Sequence, residues 1–183
     1  MRRLGTILFA LALVTAGCGD RSLILTVNVL SFLDPSEVST NYSVPGGLPS
    51  VTVDVADETV NLLQGVEDVT DIASATLDIA ATFDNQTGTA TGTLLFYAVP
   101  SDSASPFTSA PIASIPISLT PGTITNVSTR VSSDALAEAL VSDRARIGLR
   151  IALDTSATPV IGTVSGTETL TQLLATVVTK KQL

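Results

Sequence analysis

The chain has 183 residues, with nine Lys and Arg against 17 Asp and Glu, no histidine, no tryptophan and one cysteine. That acidic balance repels phosphate and argues against DNA or RNA as a partner. The missing histidine rules out Ser-His-Asp and Cys-His catalysis, and the lone cysteine rules out an internal disulfide.

The N-terminal residues have the three-part layout of an export signal. Arg2 and Arg3 give a positive start, Leu4 to Val14 is an almost unbroken apolar run, and the small residues Ala16 and Gly17 precede Cys18. The apolar run is too short for a stable membrane-spanning helix. The segment Val14-Thr15-Ala16-Gly17-Cys18 resembles the signal and lipobox of bacterial lipoproteins, with Thr15 where the family usually has Leu. The resemblance covers only about the first 20 residues. It implies removal of residues 1–17 and acylation of Cys18, with residues 18–22 as a short tether. Gly19 rather than Asp after the cysteine implies, on the same resemblance, the outer membrane of a bacterial cell envelope. Two or more acyl chains hold a protein on one leaflet, at about 0.8 kcal/mol per buried methylene.

Residues 23–183 are expected to form a single domain. Without residues 1–17 the chain keeps seven basic residues against the same 17 acids, and none of the seven lies between Leu23 and Thr129. Leu23, Leu25, Val27 and Val29 alternate through a first strand that is apolar on its other face too, at Leu30 and Phe32. Leu94-Leu95-Phe96-Tyr97 is likewise apolar on both faces. A strand of this kind is expected at the centre of a core, with the lining of a cavity or groove for a lipid tail as the alternative. Residues 35–50 read as loop, with Pro45-Gly46-Gly47-Leu48-Pro49 as a strong breaker, and Val51, Val53 and Val55 alternate after it.

The clearest hairpin signal comes next. Leu77, Ile79, Ala81 and Phe83 alternate with smaller or polar residues, Asp84 to Gly88 is turn chemistry, and Leu94 to Ala98 is the return strand. Further strands are expected at 112–119 and 124–131, separated by Pro121-Gly122. Ser133 and Asp134 cap a short helix over 135–140 that crosses one end of the domain. Ile147 to Leu153 alternates again, with Arg146 and Arg150 on the wet face. Strands at 159–164 and 168–179 complete the chain, although Leu170 to Ala175 has helical character as well. Eight or nine short strands and one helix point to an all-β fold, an antiparallel β-sandwich of immunoglobulin-like or jelly-roll type.

The chemistry available is narrow. Without histidine or a second cysteine, a metal site would use oxygen ligands and take calcium or magnesium. The carboxylates Asp54, Asp57, Glu58, Glu67, Asp68 and Asp71 are the candidates, and no loop among them follows the EF-hand spacing. A Ser-Lys pair would depend on Lys180 or Lys181 at the C-terminus, and a glycosidase would lack its aromatic platform, aromatics being 4% of residues. The expected function is that of a non-enzymatic envelope lipoprotein without a cofactor. It meets the membrane through its lipid and a protein partner through the sandwich. A carrier for a lipid or other apolar ligand and a calcium-stabilised adhesion domain are the alternatives.

Overall fold

The computed structural model describes residues 21–61, 71–141 and 144–181. Among them nine strands run β1 (Arg21–Asn28), β2 (Ser39–Pro45), β3 (Val51–Val60), β4 (Asp71–Thr87), β5 (Ala90–Pro100), β6 (Ala113–Leu119), β7 (Thr123–Ser132), β8 (Ala145–Asp154) and β9 (Thr163–Lys181). Two short helices, α1 (Pro35–Val38) and α2 (Asp134–Val141), accompany them. One sheet has the order β1-β9-β4-β7, with β2 also paired to β9, and the other the order β3-β8-β5-β6; every pairing is antiparallel.

β1 and β2 lie on the same side of β9, β1 along residues 174–181 and β2 along 163–169. Taken together they form one interrupted edge strand, and the sandwich then has eight strands in the jelly-roll order. From β2 onward every connection crosses between the sheets except that from β5 to β6.

Alternation builds the interior. Leu77, Ile79, Ala81 and Phe83 of β4 and Leu170, Leu173, Ala175 and Val177 of β9 belong to one core with Leu94 and Phe96 of β5 and Ile147, Leu149, Ile151 and Leu153 of β8. Each large side chain buried in this way contributes about 1.5–3 kcal/mol. The expected helix is present as α2. Its Ser133 hydroxyl accepts from Leu136 N at 3.3 Å, and Leu136 and Ala139 are buried. The helix packs on β4, β5 and β8, and so closes one end of both sheets.

Several expectations are corrected. Residues 35–50 are not all loop. Asp34 and Glu37 form a capping box that starts α1, and β2 follows with Tyr42 and Val44 pointing inward. The turn at 84–88 does not make a hairpin, because β4 pairs with β7 and β9 while β5 pairs with β6 and β8. Gly88, at φ +70°, carries the chain from one sheet to the other. A hairpin and such an arch share the same alternation and turn residues, so only the distant partners decide between them. β1 is not a central strand but an edge. Residues 159–162 form a turn before β9, and Leu170 to Ala175 is strand.

Candidate functional site

Cys18 lies outside the described residues, as do Glu67 and Asp68. Asp71 begins β4, in the sheet opposite β3. Asp54 and Asp57 project from β3 onto the outer face of its sheet, each against an arginine of β8. Arg150 Nε donates to Asp54 Oδ1. Arg146 grips both oxygens of Asp57, at 2.6 and 2.9 Å. Glu58 is half-buried on the opposite face of the strand. No three of His, Cys, Asp and Glu stand together among the described residues. The described carboxylates expected as a calcium cluster are thus divided between two sheets, and two of them, Asp54 and Asp57, are paired with guanidinium groups.

The same arginines fasten the β5–β6 connection over the sheet. Arg146 Nη1 donates to Ser103 O and Ala104 O at 2.8 and 2.9 Å. Arg150 lies 4.0 Å from the centre of the Phe107 ring, which meets Tyr97 edge-on at 5.3 Å. Gly148 leaves room for this cover, since a Cβ there would lie 2.6 Å from Pro106 Cγ. The second apolar face of β5 is therefore partly covered by the chain's own Pro106 and Phe107.

Glu168 is the residue that sequence reading missed. It sits in the inward row of β9 with Val164, Gly166 and Leu170, opposite Phe83 on one side and Thr40 on the other. It is fully buried, and neither carboxyl oxygen has a hydrogen-bond partner. Burial alone pushes its carboxyl up to about 8, so it is held largely protonated at neutral pH. Counting back from Leu170 places this acid in the inward row, but alternation run back from Leu173 and Ala175 does not, because β9 shifts register at Thr171.

The open feature is the edge formed by β1. Its inner row, Leu23, Leu25 and Val27, and its outer residue Ile24 carry no charge, and Leu23 and Ile24 are 45% and 66% exposed. Among the described residues, no strand pairs with its outer side. The other edges are blunted in the ways natural sheets use. β3 has a bulge between Asp54 and Ala56, β6 contains Pro116, and β7 is tied to β6 by Thr125 Oγ1 donating to Ser118 O at 3.1 Å. β2 is short and ends in Pro45.

A shallow open depression of about 410 Å³ lies over Asp78, Ser128, Arg130 and Gln172 on the outer face of the five-stranded sheet. The Asp78–Arg130 ion pair lines it, and that pairing holds the Asp78 carboxyl below its usual range.

No protein-family model and no curated protein matches the chain. Among solved structures, a chain of infectious bursal disease virus, Gt strain, aligns over 100% of this chain and 43% of its own length, with 13% identity and a TM-score of 0.49. A dimeric latent PorU from Porphyromonas gingivalis aligns over 90% of this chain and 13% of its own, at 12% identity and 0.33. Eiger TNF from S. frugiperda aligns over 79% and 92%, at 6% identity and 0.36. The chain spans less than half the length of the viral chain. These likenesses are distant, and the fold assignment rests on the strand order itself.

Proposed function

We propose that this chain is a non-enzymatic lipoprotein of a bacterial envelope, anchored through acylated Cys18, whose jelly roll docks a protein partner along the edge of β1. The observation that carries the reading is the uncharged edge from Ser22 to Asn28, bare among the described residues, which begins four residues after the proposed anchor. Unpaired strand-edge amides and carbonyls are a template for strand addition, in which backbone hydrogen bonds give affinity and alternate side chains give specificity. A carrier for apolar molecules has less support, because the apolar strand β5 is flanked by a filled core on one face and by Phe107 on the other. The calcium reading has less support because Asp54 and Asp57 are already paired.

Two measurements test the proposal. Wild-type protein is expected in the membrane fraction with an acylated N-terminus, and Cys18→Ser in the soluble fraction; equal retention of both overturns the anchor. Envelopes solubilised gently are expected to hold the wild type in a species larger than the monomer. Ile24→Lys, at an exposed position, should leave the melting temperature nearly unchanged yet release the monomer. An unchanged assembly overturns docking through β1.

A further inference from the structure

We infer that the strand added to β1 is the β1 of a second copy, paired antiparallel across a two-fold axis at Leu25. The inference rests on the docking reading above and names its partner. Self-pairing needs a segment that matches its own reverse, and Ser22 to Asn28 does so. About Leu25, Ser22 meets Asn28, Leu23 meets Val27, Ile24 meets Thr26 and Leu25 meets its own mate.

Polar residues close the two ends of this seam and apolar or β-branched residues fill its middle. No charge faces a like charge within it, and cross-strand pairs of this kind each contribute about 0.2–1 kcal/mol. Leu23, Leu25 and Val27 of one copy would continue the inner apolar row of the other, burying the surface that the free edge leaves open.

One added strand pair buries less than the roughly 1,200 Å² of a free-standing complex. Anchoring both copies on one leaflet raises their effective concentration and makes up the difference. The assembly is therefore a membrane-dependent dimer with a continuous sheet running through both jelly rolls.

The register makes the inference testable in intact envelopes by oxidative cross-linking. Directly opposed residues of an antiparallel pair have Cα atoms about 4.5–5.5 Å apart, within disulfide reach. Leu25→Cys should give a covalent dimer on oxidation. Ser22→Cys alone should give about tenfold less, and Ser22→Cys combined with Asn28→Cys should restore the yield. Wild type should give none. Adding Ile24→Lys to Leu25→Cys should lower the yield about tenfold or more by placing a charge in the seam on both copies. Absence of the Leu25→Cys dimer, or an equal yield from Ser22→Cys, overturns the self-pairing. Hydrogen exchange of β1 on the same membranes then separates the two ideas. Slow exchange of its outward amides without any dimer means that a different partner is paired there, and keeps the docking reading. Fast exchange without any dimer means that nothing docks on the edge, and overturns both.

Discussion

β1 and β2 share one neighbour, β9, and one side of the sheet, yet they are held in different ways. β2 is fastened by side chains as well as by its backbone ladder. Ser39 meets Thr169 at 3.1 Å, Thr167 Oγ1 donates to Asn41 Oδ1 at 2.8 Å, and the buried Tyr42 hydroxyl donates to Asn85 Oδ1 at 3.0 Å. Asn85 in turn donates to Gly88 O at 2.7 Å, which ties the edge strand to the sheet-crossing turn. β1 has its ladder to β9, half-buried aliphatic side chains and a marginal 3.5 Å bond from Thr179 Oγ1 to Leu23 O. Neither has a strand on its outer side among the described residues; β2 is a closed edge only in that its side chains lock it to β9 and β4, while β1 is an open one that is lightly held. One long central strand supports both because β9 extends past β2 at its start and along β1 at its end.

The largest effect should come from the closed edge. Tyr42→Ala removes a ring whose centre lies 6.4 Å from that of Phe83, and frees Asn85 from its partner. A loss of about 3–5 kcal/mol is expected in chemical denaturation. Leu25→Ala on the open edge should cost about 1 kcal/mol, because its side chain is already partly in water. Equal losses at the two sites would dissolve the distinction.

Glu168 lies beneath the closed edge and makes it pH-sensitive. Its carboxyl is raised from 4.5 to about 8 in the fold, so between those values the folded state keeps a proton that the unfolded chain has released. Stability from this group is therefore greatest below about pH 4.5 and is lost as pH rises toward about 8, by up to about 1.4 kcal/mol per unit. Measured against its own value at pH 4.5, Glu168→Gln should be free of this loss and gain of order 5 kcal/mol on wild type by pH 9. Parallel profiles for the two proteins would show that Glu168 is not protonated in the fold. Tyr42→Phe, which keeps the ring and deletes only the hydroxyl bonded to Asn85, should cost about 1–2 kcal/mol. The smallest effect belongs to the arginine-paired face. Asp54→Asn should change stability by less than about 1 kcal/mol, and calcium should shift the melting temperature of neither protein. A calcium-dependent rise would restore the acidic cluster as a metal site.

Much of the fold was legible because alternation is local. Leu77 to Phe83, Ile147 to Leu153 and the capped helix at Ser133 each carry their pattern within a few residues. The same locality hid β2, whose inward residues Tyr42 and Val44 are too few to stand out beside Pro45 and Gly46. It hid Glu168 as well, because an acid in an inward row looks like a break between strands. The two arginines of β8 share one outer face, as expected, but the β5–β6 connection covers it and leaves them only half-exposed, and their pairing with Asp54 and Asp57 depends on which strand lies beside β8.

By itself the sequence determined the all-β character, the short helix and its cap, the acidic surface, and the residue types that any site could use. These follow from side-chain periodicity and composition, which need no knowledge of distant partners. Only the tertiary structure decided that the turn at Gly88 crosses between sheets, that Asp54 and Asp57 face arginines, that Glu168 is buried without a partner, and that β1 is an edge. Each of these depends on which strands lie side by side, and in a jelly roll nearly every neighbour comes from far along the chain.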